Sequence, residues 1–456
     1  MNDDTPAVDC EHLVDDRPGQ GIFRVHRSVY LDPRIFELEL SRIFESTWVF
    51  IALASEVPAA HDFVTRHIGR QPVILMRDAH GELGCFFNTC THRGTLLCPH
   101  ARGNRPLHVC RYHGWSYDSA GRNVAVAAEA DGRYPPAFAT ADHGLAAVPR
   151  LDAYRGFVFA SLSTRVPPLN EHLGEARAMI DLVADQAPEG LEYVPGTADY
   201  TFDGNWKLQF ENGLDAYHFP VTHASFVDIV RRRAPPPAAG AADDVAPQAG
   251  GIAAGTISFP YGHALSWSVG APGQEPERGP LLRDHRLLRT VRRAAGDARL
   301  DWMLRQRNLT IFPNLQIIDI QSLQLRTWQP LAVDRTRMHS RCLAPVGEND
   351  TARRYRIRRY EEFFNAGGLA TPDDNVMYEL LQSGLAATAA GTTQGYERGF
   401  EARADVHAPP FDALGLQHAA VTCSDAGLSF GDETGIHSGY REWLRLMTAD
   451  PGAPRG

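Results

Sequence analysis

The chain has 456 residues, enough for two or three domains with separate cores, and its 43% apolar and 22% charged residues give the balance of a globular protein. A formal net charge of −10 with no basic face argues against nucleic acid as a partner, and no apolar run is long enough to cross a bilayer. The acidic N-terminus lacks the basic and apolar segments of a secretory signal, and an odd count of seven cysteines suits a reducing compartment, so a cytoplasmic location is expected.

Residues 1–45 read as an N-terminal arm belonging to the later catalytic domain. Asp32-Pro33 opens a helix with apolar Ile35, Phe36, Leu38, Leu40 and Ile43, a loosely amphipathic pattern. From 46 to 165 the texture changes to short β-like runs, such as Val73–Met76 and Gly156–Ala160, separated by Gly and Pro. That predicts a small all-β domain. Its loops carry Cys90-Thr91-His92 and, after an interval of seventeen residues, Cys110-Arg111-Tyr112-His113. Two thiolates and two imidazoles in Cys-then-His pairs suit a 2Fe–2S cluster in which one iron takes the sulfurs and the other the ring nitrogens. Gly94 after the first pair and Gly114-Trp115-Ser116-Tyr117 after the second agree: small residues let two loop tips close, and aromatic ones exclude water. A structural zinc site is the competing reading. Zinc knuckles usually use C-x2-C and H-x3-5-H, each pair supplying like ligands, and mixed Cys-His pairs at these two spacings are far less common for zinc.

Residues 166–456 form the third region, where helices mix with strands after Pro167-Pro168. Tyr200–Phe202, Leu309–Phe312, Leu315–Ile320 and Leu323–Trp328 are strand candidates, and an α+β domain on an antiparallel sheet is the simplest reading. Residues 234–255 form one low-complexity stretch of Ala, Pro and Gly, expected to be a mobile loop, and the preceding Arg231–Arg233 reads as a solvated surface.

Asn205 to His223 holds a second constellation. On one helix, Glu211 and Asp215 are four apart, and Asn212, Asp215 and His218 follow at steps of three, so these groups share a face. Pro220 would end or bend that helix and let His223 swing round to His218. Two imidazoles and one carboxylate make the facial triad of a non-haem Fe(II) centre, with positions left for O2 and substrate. The carboxylate must come from elsewhere. Thr371-Pro372-Asp373-Asp374-Asn375 heads a helical stretch and offers either Asp373 or Asp374; a plain N-cap is the alternative role for one of them. His61, His100, His108, His143 and His263 read as ordinary surface or core residues.

Together the two motifs resemble the α (large) subunit of Rieske non-haem iron aromatic-ring-hydroxylating oxygenases, from about Trp48 to the Trp443 region. Within that family, Glu211-Asn212-Gly213-Leu214-Asp215-Ala216-Tyr217-His218 is most similar to the group acting on benzoate, toluate and anthranilate, and Pro372–Asn375 to the carboxylate-ligand segment. The resemblance implies a small all-β Rieske domain beside an α+β catalytic domain of helix-grip type. It implies that Cys90, Cys110, His92 and His113 hold the cluster, and that His218, His223 and Asp374 hold mononuclear Fe(II), with Asn212 close by. Asp215 would bridge the two centres, taking hydrogen bonds from His218 and from His113 of a neighbouring subunit. It further implies electrons from NADH through a separate reductase or ferredoxin, since no dinucleotide fingerprint follows any strand here. The expected assembly is α3, or α3β3 with a small β subunit, and the expected reaction uses O2 to convert an aromatic carboxylate to a cis-dihydrodiol. A Rieske monooxygenase, either a hydroxylase or an O- or N-demethylase, is the alternative; a Rieske electron carrier would need only the first domain. The 234–255 stretch departs from the family's usual length near the expected pocket entrance, while the closing segment Asp432–Trp443 resembles the family's closing helix, with Arg441 and Trp443 expected in packing and subunit contact.

Overall fold

The computed structural model describes residues 8–233, 253–269, 279–424 and 431–449. The chain divides into two units: the described residues of Met1–Glu39 and Asn170–Ala453 form one, and those of Leu40–Leu169 form the other.

The smaller unit is built of three antiparallel sheets. Leu83–Phe87, Gln71–Arg77, Asp62–Ile68 and Arg102–Asn104 make a four-stranded sheet, and Asn123–Ala125, Ser116–Asp118 and Leu107–Val109 a three-stranded one. Another three strands, Arg150–Tyr154, Phe157–Ser161 and Val49–Leu53, form the third. The expected runs fall in these strands. Every residue of Phe157–Ser161 is buried, which is why it reads as a continuous apolar run rather than an alternating one. The four-stranded sheet carries the loop that holds Cys90, and the short three-stranded sheet flanks Cys110, both sulfurs lying in one buried cluster with Trp115 and Tyr117.

The larger unit is organised on a ten-stranded antiparallel sheet. Its strands in chain order are β1 (Leu191–Tyr193), β2 (Ala198–Phe202), β3 (Ala254–Ser258), β4 (Ala264–Ser268), β5 (Gln306–Ile311), β6 (Leu315–Ile320), β7 (Ser322–Ala332), β8 (Arg335–Pro345), β9 (Arg403–Ala404) and β10 (Ala420–Thr422). They lie side by side as β1-β8-β7-β6-β5-β4-β3-β10-β9, with β2 pairing beside β1 on β8. The four strand candidates lie in β2, β5, β6 and β7. Helices cover both faces. On one lie α1 (Trp206–Asn212), α2 (Phe219–Thr222), α3 (Ala224–Arg233), α4 (Thr371–Leu385) and α5 (Thr434–Thr448). The other face carries Asp297–Leu304, where Trp302 meets Trp267 of β4 at 5.3 Å between ring centroids.

Residues 234–252 of the expected loop lie outside the described residues, while Ala254 and Gly255 begin strand β3 rather than ending a loop. The closing segment is helix α5; Trp443 is buried in it, and Arg441 pairs with Asp16 of the same chain at 2.6 Å. No helix among the described residues is long and apolar enough to cross a membrane.

Candidate metal centres

The one helix expected to run from Asn205 until Pro220 ends or bends it is in fact two helices joined by a turn. Asn205 caps α1 by accepting a hydrogen bond from Lys207 N at 3.1 Å, and the helix stops at Asn212. Gln316 of β6 donates from its side-chain amide to the carbonyls of Gln209 (3.0 Å) and Phe210 (3.4 Å), and the Phe210 carbonyl is lost to the next turn, Leu214 N bonding Glu211 O at 2.8 Å instead. Gly213 allows this approach: a Cβ there would lie 1.7 Å from Gln316 Nε2. Asp215 then turns the chain, its Oδ1 accepting from the backbone N–H of Tyr217 (2.8 Å) and His218 (3.2 Å). Pro220 sits in the first turn of α2, where its missing N–H costs nothing, so it starts a helix rather than ending one. Glu211 leaves the expected polar face altogether and packs, part-buried, against the hydroxyls of Tyr30, Tyr396 and Tyr440.

What this turn accomplishes is convergence. Donor atoms of His218, His223 and Asp374 lie within 4.8 Å of one another, the one such group of three metal-ligating side chains among the described residues. His223 Nε2 is 3.2 Å and His218 Nε2 3.5 Å from Asp374 Oδ1. Asn212 Nδ2 stands 3.1 Å from Asp374 Oδ1 and 3.3 Å from His218 Nε2. The remaining ring nitrogens face carboxylates: His218 Nδ1 is 3.4 Å from Asp215 Oδ2, and His223 Nδ1 is 3.4 Å from Asp373 Oδ2. Imidazoles oriented from behind in this way, with one carboxylate beside them, fit a divalent iron held by three protein ligands on one side. Asp374 thus faces the Nε2 atoms of both histidines and Asp373 the Nδ1 of His223, and neither is the N-cap of α4, which is Ala370. Burial acts to lower the His218 pKa, but the carboxylates of Asp215 and Asp374 outweigh it and the net shift is upward.

All three residues border a cavity of about 310 Å³. One side is aromatic, with Phe363 ring centroids 4.3 Å from Phe226 and 5.9 Å from Phe219. The floor is the helix-covered face of β3–β7 and adds Ser266, Ser268, Gln306, Asn308 and Arg326 to apolar Ile318 and Ile320. A mostly apolar slot with a few polar groups suits a small planar ligand.

In the smaller unit, Cys90 and Cys110 are buried, and their loops repeat one construction. Gly94 N donates to Cys90 O and Gly114 N to Cys110 O, each at 2.9 Å, with both glycines at positive φ, +71° and +73°. His92 and His113 lie 4.6 Å apart between ring centroids, and Trp115 stacks on His92 at 4.8 Å. His92 Nδ1 is buried without a hydrogen-bond partner, a donor set waiting for a ligand. The four side chains do not gather their donors around one point as a tetrahedral zinc would demand, while two pairs facing each other fit a two-iron cluster. Tyr117 goes further than shielding: its hydroxyl lies 3.2 Å from Cys90 Sγ and 2.9 Å from Thr91 Oγ1. Burial, then the bond to Cys90, push this phenol up to about 12. The sequence also misses Gln316, remote from the motif it shapes. His263 is the ordinary core histidine expected, with Nε2 on His172 O at 3.0 Å and Nδ1 accepting from Phe312 N at 3.1 Å.

Residues 190–448 match the family described as Ring hydroxylating alpha subunit (catalytic domain), and residues 47–141 match the Rieske [2Fe-2S] domain. Toluate 1,2-dioxygenase subunit alpha of Pseudomonas putida is 40% identical over 382 residues, 82% of each chain. Anthranilate 1,2-dioxygenase large subunit of Acinetobacter baylyi is 40% identical, covering 82% of this chain and 79% of that one. Naphthalene 1,2-dioxygenase from a Rhodococcus species superposes with a TM-score of 0.81 at 26% identity, over 94% of this chain and 95% of that one. The chain belongs to the Rieske ring-hydroxylating oxygenase α subunits.

Proposed function

We propose that this α subunit serves an aromatic-carboxylate 1,2-dioxygenase, converting a benzoate-like acid, O2 and the two electrons and protons supplied through NADH to a cis-dihydrodiol. The observation that carries the reading is the convergence of His218, His223 and Asp374 on an apolar cavity sized for one aromatic ring, in a chain 40% identical to toluate and anthranilate 1,2-dioxygenases. In this reading Cys90, Cys110, His92 and His113 hold the cluster, and the triad holds mononuclear iron. The two centres, when loaded, supply one-electron delivery and O2 activation. The chain's own residues do the rest. Asp215 and Asp373 fix the tautomer and tilt of the two imidazoles; Asn212 holds Asp374 in place by its amide; Phe219, Phe226 and Phe363 exclude water and grip the ring.

A separate reductase or ferredoxin is the electron source, and the assembly is α3 or α3β3. Two exposed apolar patches support assembly. Tyr217, Val221 (79% exposed), Val376 and Leu380 lie exposed on the segments that carry the triad, and Leu107, Val109 and Tyr112 on the segment that carries Cys110 and His113. Apolar surface on the segments of both redox centres is what contact between copies would cover, with Asp215 meeting His113 of a neighbour. Demethylation is the weaker reading: an N,N-dimethyl phenylurea N-demethylase from Sphingobium matches over only 45% of this chain.

The test is metal and sulfide content of anaerobically purified protein, its EPR spectrum after reduction, and product analysis with NADH, a reductase and a panel of aromatic acids. About three irons and two sulfides per chain, a Rieske-type signal and a cis-diol acid are expected. Zinc without sulfide would overturn the metal assignment, and formaldehyde release from methylated substrates in place of diol would favour the demethylase.

A further inference from the structure

The cavity floor contains a buried charge with no salt-bridge partner among the described residues. In an antiparallel sheet, directly paired residues point to the same face, and neighbours along a strand to opposite faces. The pairs Ser266–Asn308, Asn308–Ile318, Ile318–Gln324 and Gln316–Arg326 therefore set Arg326 on the cavity face. Three arginines border the cavity. Arg307 falls on the opposite face and pairs there with Asp319, and Arg359 pairs with Glu362. Arg326 has no salt-bridge partner among the described residues, although it is only 3% exposed. Its Nη2 donates to Thr371 Oγ1 (2.7 Å) and Phe364 O (3.2 Å), while Nε is buried with no hydrogen-bond partner. A guanidinium keeps its proton, so the charge persists and is costly to bury alone. The carboxylate that acts on it is that of Asp374, which the proposed triad already employs.

We infer that Arg326 anchors the carboxylate of the substrate, a step that rests on the aromatic-acid oxygenase reading. A planar carboxylate matches the free side of the fork and supplies the missing counter-charge. Thr371, which Arg326 holds, precedes Asp374 by one turn of α4, about 4.5 Å along the axis. A ring tethered there presents the carbon bearing the carboxylate, and its neighbour, to the triad. The far edge of the ring rests on Phe226 and Phe363. One residue thus sets both the preference for acids and the end of the ring that reacts.

The test is equilibrium binding to the anaerobic holoenzyme by calorimetry, with benzoate and its uncharged isostere benzamide as probes. Wild type should bind benzoate at least about thirtyfold more tightly than benzamide. In Arg326→Gln that ratio should collapse through weaker benzoate binding, with benzamide little changed. Arg326→Lys should keep part of it. A retained ratio in Arg326→Gln overturns the anchor and leaves the aromatic-acid reading standing. A wild type indifferent to both probes overturns that reading and the anchor with it. Should Arg326→Gln fail to fold, a wild-type crystal structure with benzoate decides: a carboxylate about 3 Å from the guanidinium supports the anchor, and one held at Ser266 and Gln306 rejects it.

Discussion

Cys90 shows how a single neighbour tunes a redox group. The Tyr117 hydroxyl lies 3.2 Å from Cys90 Sγ and 2.9 Å from Thr91 Oγ1, within hydrogen-bonding reach of the sulfur. A hydrogen bond to a cluster thiolate favours the reduced, more negative state and raises the potential. Tyr117→Phe should lower the midpoint by roughly 40 mV, the one-electron equivalent of a hydrogen bond worth ~1 kcal/mol. An EPR-monitored redox titration reads the shift, and an unchanged midpoint would reduce the phenol to packing. At the other centre the residues separate by what they touch. His218→Ala should empty the mononuclear site and spare the cluster; unchanged iron content would sink the triad. Asp215→Ala should leave both sites loaded yet nearly abolish turnover, because Asp215 faces Nδ1, the far nitrogen of His218. Iron loss in that variant would count against a purely orienting and bridging role.

At the scale of elements, the break after α1 is what brings the ligands together. Gly213→Ala would drive a Cβ into the buried Gln316 amide, which bonds Gln209 through both ends, so the amide cannot swing away freely. A cost of about 1–3 kcal/mol is expected, together with reduced mononuclear iron and a normal cluster. Thermal denaturation and iron analysis measure both; full stability with full iron would mean that the amide can rotate aside. This element also marks what the sequence makes legible. His218, His223 and the Cys-His pairs announce themselves because their chemistry is local and unusual, and strands β6 and β7 because Leu, Ile and Trp recur along them. The helix break is hidden, since the glutamine that takes its Phe210 carbonyl lies about a hundred residues away in sequence. Choosing between Asp373 and Asp374 likewise needs the rotation of α4 about its axis, and finding Arg326 needs the register of three strand pairs.

Across the whole of the larger unit, two buried polar clusters tie distant segments to α1. Glu39 takes the indole N–H groups of Trp206 and Trp443 and pairs with Lys207 at 2.5 Å, joining the N-terminal arm to α5. One turn along, Glu211 accepts hydrogen bonds from Tyr30 (2.5 Å), Tyr396 (3.0 Å) and Tyr440, drawn from three remote regions. Burial pushes the Glu211 carboxyl up to about 7 from an ordinary 4.5, although the three phenols and Lys207 pull against it. The folded protein therefore keeps a proton that the unfolded chain has already released, and it binds more protons than the unfolded state between those two values. Stability contributed by this group consequently falls as pH rises from about 4.5 to 7, by at most ~3 kcal/mol. In Glu211→Gln the side chain stays neutral at every pH, so this component should disappear. Urea midpoints at about pH 5 and pH 7 should separate less in the variant than in wild type, with the gain in relative stability at the higher pH. Equal separation in both proteins would mean that Glu211 is ionised within the fold at pH 5, its three phenols and Lys207 having outweighed burial.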